Sequence, residues 1–309
     1  FVEVWQLTPG YDAWRTDPDT CPRTAPLSVT AAKQLLPRGV PYSAFNIHEV
    51  GEHIATGTFT EGRPKDRFRD RSLMNIGPKL KGYPKKELEL VVSEIMEEAV
   101  TSEITLVNKH LNPDTALALK AGTFQILDLG TNLTGFPCLN VVCTEKMRLA
   151  LTFDEMLTKD DVNWQRLGCV NALLFDLEPG AYNLQGFEPH TMRYMKLMAL
   201  SGNGTVSNVG LRLYEHPDMM RATFACDNEA LVRIFDAGRT TFAQNNVDIP
   251  MDCPHRERAG WLCDSFFTSR SEFFLTGETN VERNFLENFL LPDKFDHLPE
   301  GMLPMCYPA

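Results

Sequence analysis

The chain has 309 residues, of which 43% are hydrophobic and 23% charged, a mixture typical of soluble globular proteins with two or three domains. Its formal charge of −11 and pI near 5.2 argue against a nucleic acid or an anionic membrane as partner, because both favour basic proteins. No apolar run approaches the ~20 residues of a membrane-spanning helix, so no membrane partner is expected.

Eight cysteines are spread thinly along the chain, and none forms a CxxC pair. This pattern favours mostly buried thiols over disulfides, and hence a cytoplasmic location. A periplasmic or secreted protein stays the alternative, because FVEVWQLTPG at the start lacks the order of a signal peptide but a processed terminus would look the same. Cys253, His255 and Cys263 lie close together, but a fourth ligand at zinc spacing is missing, so no metal site is predicted.

The first two thirds of the sequence predict β structure. Residues 1–115 form a proline-rich, β-rich region, in which segment 86–101 fits either a helix or a pair of strands. Residues 116–216 predict a β-sandwich domain, because short β-branched or aromatic runs alternate with turn signals. The runs are TFQILDLG, CLNVVCTE, RLALTFDE, NALLFDL and TMRYMKLMAL, and the turn signals include TNLTGFP, EPGAYN and SGNG.

Helical periodicity begins in the last third, residues 217–309. A first helix is predicted for residues 228–246, with Asp227 as its N-cap and Glu229 in its first turn. Apolar residues at helical spacing would give this helix one apolar face, formed by Leu231, Ile234, Phe235 and Phe242.

Two further helices are predicted beyond it. One covers residues 260–276 and ends at Gly277, a residue type that readily adopts the left-handed conformation of a helix C-terminus. The other covers residues 281–291 and is stopped by Pro292, which cannot continue a helix. The connection between the first and second helices is therefore where side chains could face a pocket.

The sequence MDCPHRERAGWLCDSF lies in that connection and runs into the second helix, with three carboxylates and an indole at the helix entrance. Acids and arginines at such a position commonly form a capping and salt-bridge cluster. However, Trp261 and Asp264 are three residues apart, which places an aromatic ring and an acceptor on one side of a helical turn. An aromatic face with acceptors around it is a common way to hold a sugar ring.

The segment DCPHRERAGW followed by CDSFF resembles the signature loop of bacterial α-L-rhamnosidases, glycoside hydrolase family 78. Further similar segments follow in the same order as in that family: PRTAPLSVTAAKQLLPRGVPYSAF, LDLGTNLTGF, RLALTFDEML, FEPHTMRYMKL and GMLPMCYPA. The resemblance implies a multidomain fold in which N-terminal β-sandwich modules precede an (α/α)6 catalytic barrel. About three of the twelve helices of such a barrel are predicted, so residues 217–309 are expected to be its incomplete beginning.

The resemblance also implies an inverting glycoside hydrolase that removes terminal α-L-rhamnose from rhamnose-containing oligosaccharides, polysaccharides or glycosides. Glu257 matches the family's general acid, and Asp252 and Asp264 match acidic residues that bind rhamnose hydroxyls. Trp261 matches an aromatic residue of the sugar pocket, and Arg256 is expected to orient the carboxylates. The general base is expected beyond the chain end, which would leave these 309 residues inactive on their own.

No organic cofactor is implied, because acid–base glycoside hydrolysis needs none. Bound calcium and a homo-oligomer are both compatible with the sequence and are not indicated by it. Two alternatives stay open: a non-catalytic carbohydrate-binding protein, and an (α/α)6-barrel glycosidase with a different sugar specificity. An enzyme should lose turnover but keep sugar binding in Glu257→Gln, whereas a lectin has no turnover to lose.

Overall fold

The computed structural model describes residues 2–21, 36–64, 68, 91–218, 221–292, 294–295 and 298–307. The chain divides into two compact units. The first unit comprises residues 1–23 and 47–212, and the second comprises residues 24–46 and 213–309. The predicted architecture, rich in sheet with few helices, is confirmed. The predicted boundaries after residues 115 and 216 stay predictions.

The first unit is built on one sheet of eleven strands, with β8 and β9 as a separate pair. Its strands are β1 Glu3–Leu7, β2 Ile47–Glu49, β3 Glu52–Glu61, β4 Ala99–His110, β5 Leu117–Leu119, β6 Thr123–Cys143, β7 Met147–Asp154, β8 Leu157–Thr158, β9 Asp161–Val162, β10 Ala172–Leu177, β11 Gly180–Gln185, β12 His190–Ser201 and β13 Gly204–Leu213. The main path runs β1-β10-β7-β12-β6-β13-β2, with β3 and β11 also paired to β6, β4 to β3, and β5 to β13.

Helix α1 (Val91–Glu98) lies immediately before β4 in the described part of this unit. The ambiguous segment 86–101 therefore contains both a helix and the start of a strand, and its residues 86–90 lie outside the described residues. The core between helix and sheet includes the buried apolar side chains Met96, Phe124, Ile126 and Ala150. Burial of these side chains is the main stabilising contribution to the unit.

Strand β6 is 21 residues long and runs through TNLTGFP, where the sequence suggests a turn. That prediction is wrong. Gly130 adopts a left-handed conformation at φ 84°. The register with β12 places Leu133 opposite Met192 but Asp128 opposite Tyr194. The intervening residues of β6 thus form a bulge rather than a chain reversal, which bends the strand while its pairing resumes on both sides.

Glu3 in β1 is a buried carboxylate with several donors around it. Its oxygens accept hydrogen bonds from the Trp5 indole (2.8 Å) and from the backbone N–H groups of Phe187 and Glu188 (both 2.9 Å). The His190 ring lies 3.5 Å away. Burial alone would raise the pKa of Glu3, but these partners together lower it below its ordinary 4.5.

We therefore expect Glu3→Gln to lower the free energy of unfolding by about 1.5–3 kcal/mol near neutral pH, because bonds to a charged acceptor are lost. A lowered folded-state pKa contributes stability above the unfolded pKa, and this contribution disappears as pH falls through the folded value. The difference between wild type and Glu3→Gln should accordingly shrink below pH 4.5. Denaturant titrations of both proteins across this pH range measure it, and a constant difference would contradict the prediction.

The described part of the second unit contains α2 (Glu229–Asn245), α3 (Leu262–Thr276) and α4 (Asn280–Leu290), and the short antiparallel pair β14 (Gly260–Trp261) and β15 (Cys306–Tyr307). All three predicted helices are confirmed. The N-cap of α2 is Asn228 rather than the predicted Asp227, and its side chain accepts from Ala230 N at 3.0 Å. Gly277 ends α3 at φ 78°, as expected for a left-handed cap.

Helix α3 buries its small polar side and exposes its aromatic side. Ser265, Ser269, Glu272 and Thr276 are buried, whereas Phe266, Phe267, Phe273 and Phe274 are 52–80% exposed. The predicted apolar face of α2 is similarly exposed at Leu231 and Ile234, although Phe242 is buried. The buried Glu272 accepts from the first N–H groups of α4, Val281 N at 2.8 Å and Glu282 N at 2.9 Å, and so fixes α4 against α3.

The described cysteines carry thiols and not disulfides, as predicted, but their expected burial is wrong. Cys143 is buried, whereas Cys21, Cys226 and Cys263 are exposed. Among the described residues, we find no helix with the length and apolar character needed to cross a bilayer.

Candidate active site

The loop between α2 and β14 carries the predicted site residues, and its two ends are held together. Asp252 N donates to Ala259 O, and Asp252 Oδ1 accepts from Ala259 N, both at 3.1 Å. Arg258 adopts a left-handed conformation at φ 51°, a backbone region that costs energy for a residue with a Cβ. The loop is thus a closed, conformationally defined segment and not a simple extended connection.

Glu257 lies at the exposed turn of this loop and is contacted at both oxygens. Its Oε1 forms an ion pair with Arg256, and its Oε2 accepts a hydrogen bond from the Trp261 indole at 3.1 Å. The Glu257 side chain keeps 34% of its exposure. A contact at each oxygen fixes the orientation of the carboxylate, and its exposed part is accessible to a ligand.

Asp252 and Asp264 line a cavity of about 570 Å³ between α2 and α3. This volume lies within the range of small-ligand sites. The walls are mostly apolar and come from both helices and the loop between them: Phe235, Phe242, Met251, Phe267, Phe274 and Leu275. Glu257 and Trp261 do not line this cavity. Of the three acids, Asp252 and Asp264 therefore face it and Glu257 does not.

Asp264 sits in the first turn of α3 and is exposed. The Cys263 thiol donates to Asp264 Oδ2 at 3.1 Å. This hydrogen bond raises the pKa of the Cys263 thiol, which keeps it protonated and argues against a nucleophilic role. Asp252 Oδ2 likewise accepts from the Cys253 thiol at 3.1 Å.

Arg239 also lines the cavity, and sequence reasoning missed it. Its guanidinium donates to Asp236 Oδ1 at 2.8 Å and to Ala222 O at 3.1 Å, which holds it on the α2 wall. The signal was present, because Phe235, Gly238, Arg239 and Phe242 follow each other at helical spacing on one side of α2. Within the described part of the chain, no three His, Cys, Asp or Glu side chains are grouped as metal ligands would be.

Gly260 positions the loop because the next strand and α4 approach it closely. A Cβ at this position would lie 2.5 Å from the Phe285 ring and 2.9 Å from Tyr307 O. Phe285 is fully buried and has little freedom to move. We expect Gly260→Ala to destabilise the unit by about 1–3 kcal/mol and to displace the neighbouring Trp261.

Thermal unfolding of Gly260→Ala measures this effect, with Gly238→Ala as the matched control. A Cβ at Gly238 meets no atom within 4 Å, so this control should be neutral or slightly stabilising for a helical position. Equal melting temperatures for wild type and Gly260→Ala would show that β14 and β15 separate easily.

Comparison with known proteins adds three findings. Residues 219–309 match the family model described as the bacterial alpha-L-rhamnosidase 6 hairpin glycosidase domain. An alpha-L-rhamnosidase of Formosa agariphila is 24% identical over 187 residues, which cover 57% of this chain and 20% of that protein. An alpha-L-rhamnosidase of Alteromonas sp. is 27% identical over 146 residues, which cover 45% of this chain and 16% of that protein. The chain thus spans about a fifth of the length of the curated relatives it matches.

Among solved structures, the rhamnosidase from Klebsiella oxytoca with rhamnose bound superposes with a TM-score of 0.52 at 13% identity. The match covers 78% of this chain and 44% of that protein. At this identity the similarity demonstrates a common fold. The resemblance to bacterial α-L-rhamnosidases seen in the sequence is confirmed by the family model and by the two relatives.

Proposed function

We propose that this chain, which resembles bacterial α-L-rhamnosidases, is part of a glycoside hydrolase that releases terminal α-L-rhamnose from rhamnose-containing glycans or glycosides. One observation carries the proposal. The region that matches the glycosidase domain holds Glu257, Asp252 and Asp264 on one closed loop and the first turn of the helix that follows. Paired carboxylates are the chemical requirement of glycoside hydrolysis.

In this proposal, Glu257 is the general acid that protonates the leaving glycosidic oxygen. Its exposed side leaves room for a leaving group, and the Trp261 indole directs one of its oxygens. A proton on Glu257 Oε1 would displace the ion pair with Arg256, while Oε2 could still accept from the Trp261 indole. Arg256 thus orients the ionised form of Glu257.

Asp252 and Asp264 are proposed to bind rhamnose hydroxyls from the cavity wall. Asp264 is the better placed of the two, because it is exposed and has the Cys263 thiol, a weak donor, as its contact. Asp252 also closes the loop through Ala259, so its substitution should disturb both binding and loop conformation. Trp261 would supply an apolar face for the sugar ring.

We further propose that α2, α3 and α4 belong to an (α/α)6 barrel, and that the β-rich first unit is an accessory module. The exposed phenylalanines of α3 support this arrangement, because a helix with such a face needs an apolar neighbour there. An inverting mechanism further requires a second carboxylate ~6.5–9.5 Å from Glu257, which leaves space for the attacking water.

Release of p-nitrophenol from p-nitrophenyl α-L-rhamnoside by the protein expressed from its complete gene tests the proposal. The α-L-fucoside and α-D-mannoside serve as controls for sugar specificity. Proton NMR of the first product tests inversion, because an inverting enzyme releases the β anomer. Rhamnose binding without turnover would favour a carbohydrate-binding protein, and cleavage of another sugar would favour a glycosidase of different specificity.

A further inference from the structure

A second cavity, of about 470 Å³, lies wholly within the first unit. Helix α1, strands β4, β7 and β12, and the segment after β9 line it. Met96 and Met198 provide apolar surface, while Asn163 and Gln165 provide amides. Its size falls in the range of small-molecule sites, and none of its residues belongs to the loop that carries Glu257.

One wall of this cavity is a fixed polar cluster around Lys196, whose side chain is only 4% exposed. Lys196 Nζ donates to Asp161 Oδ1 and to Thr101 Oγ1, both at 2.7 Å, and lies 4.0 Å from the centre of the Phe124 ring. Thr101 Oγ1 also donates to Asp161 Oδ2 at 2.6 Å. The donors and acceptors of this wall are therefore held in place before any ligand arrives.

Thr152 supplies a second, independent indication of a ligand. It lies opposite Lys196 in the pairing of β7 with β12, is 1% exposed, and lines the cavity. Within the described part of the chain, its hydroxyl oxygen has no hydrogen-bond partner. A buried hydroxyl without a partner costs free energy, and a bound molecule in the cavity would remove that cost.

Trp164 gives the cavity an aromatic side. Its indole is half-buried and contacts Phe68 edge to face, with ring centres 5.6 Å apart, while it also lines the cavity. The charge of Lys196 is compensated by Asp161, and Glu97 adds a further acid to the lining, so an anion is disfavoured. An aromatic ring beside fixed hydroxyl, amide and carboxylate groups suits a neutral polyhydroxylated ring.

We propose that this cavity binds a monosaccharide-sized unit of a glycan, with Trp164 against the sugar ring and Thr152 and Asp161 at its hydroxyls. The site is separate from the candidate active site, and the proposal does not depend on rhamnosidase activity. Its role would be to hold a carbohydrate through the β-rich unit, independently of bond cleavage.

The test is a titration of L-rhamnose, D-galactose and D-glucose into the protein. Binding is measured by ligand-observed NMR and by calorimetry. Thr152→Val is the decisive variant, because valine keeps the shape of threonine and removes only the hydroxyl. We expect its melting temperature to stay the same or rise, while the Kd for the bound sugar increases about three- to tenfold. Trp164→Ala should increase the Kd by about tenfold or more.

Matched controls are Thr60→Val, an exposed threonine on β3, and Trp14→Ala, a tryptophan that is 48% exposed. Both should leave the Kd unchanged. A Kd that is equally unchanged in Thr152→Val overturns the proposal, as does a wild type that binds none of the three sugars at millimolar concentration. Complete loss of binding in Asp264→Asn would assign the sugar to the other cavity and overturn it as well.

Discussion

Glu257→Gln is expected to lower kcat for an unactivated rhamnoside by about 10²–10⁴-fold, the usual contribution of a general acid. Glutamine keeps an oxygen for the Trp261 indole but cannot donate a proton to the leaving oxygen. Loop conformation should therefore be preserved while proton donation is lost. We expect KM to change little, because Asp252 and Asp264 line the cavity independently of Glu257.

The dependence of the rate loss on the leaving group distinguishes a general acid from a residue that only binds substrate. p-Nitrophenol is a much stronger acid than a sugar hydroxyl and needs less protonation as it leaves. The loss in Glu257→Gln should accordingly be far smaller for p-nitrophenyl α-L-rhamnoside than for a rhamnosyl disaccharide. Equal losses of kcat on both substrates would show that Glu257 is not the general acid. The matched control is Glu287→Gln, which alters an exposed glutamate of α4.

Lys196→Met is expected to lower the free energy of unfolding by about 3–5 kcal/mol, because it leaves the Asp161 carboxylate without its buried partner. Asp161 keeps two neutral donors, Thr101 Oγ1 and the backbone N–H of Val162, which compensate only part of the lost interaction. The double variant Lys196→Met/Asp161→Asn should recover much of the loss, since neither charge then stays unpaired. Denaturant titration followed by circular dichroism measures all three proteins.

The exposed ion pair Lys146–Glu178 provides a control with the same distance between its charged atoms. Its Nζ and Oε1 are also 2.7 Å apart, but the two side chains are 71% and 44% exposed. Solvent screening makes such a pair nearly neutral, so Lys146→Met should leave the denaturation midpoint unchanged. If Lys146→Met and Lys196→Met lowered the free energy of unfolding by similar amounts, burial would not strengthen the Lys196–Asp161 pair.

Local signals predicted the helices of the second unit well. Gly277 was placed correctly because its left-handed cap depends on one residue type and its own conformation. The N-cap of α2 was placed one residue early, since Asp227 and Asn228 are adjacent and both are good caps. Only the backbone decides between them, because Asn228 rather than Asp227 reaches the N–H groups of the first turn.

Non-local pairing explains what the sequence did not predict in the first unit. The residues around Gly130 have the composition of a turn, yet strands on both sides hold them in β6 as a bulge. Lys196 and Asp161 are 35 residues apart, and no local pattern indicates that they meet. Their contact depends on β9 packing against β12, and these two strands belong to separate sheets that meet only in the folded unit.

For the candidate site, the family resemblance predicted which residues take part, and the structure shows which of them lie together. The sequence places Asp252 and Glu257 on the loop and Asp264 in the helix that follows, but the cavity is lined by Asp252 and Asp264 without Glu257. That division follows from how α2 and α3 face each other, which the spacing of residues on the loop does not determine. Whether Glu257 acts as the acid stays a prediction for the leaving-group experiment.

The parallel pairing of β1 with β10 has a consequence for the order of folding. It places Glu3 opposite Leu173, a separation of 170 residues along the chain. At ~5–20 residues per second, the ribosome adds β10 roughly ten to thirty seconds after β1. Strand β1 must therefore wait until its partner emerges. Closing so long a loop is slow, and refolding of this unit should lag well behind helix formation in the other.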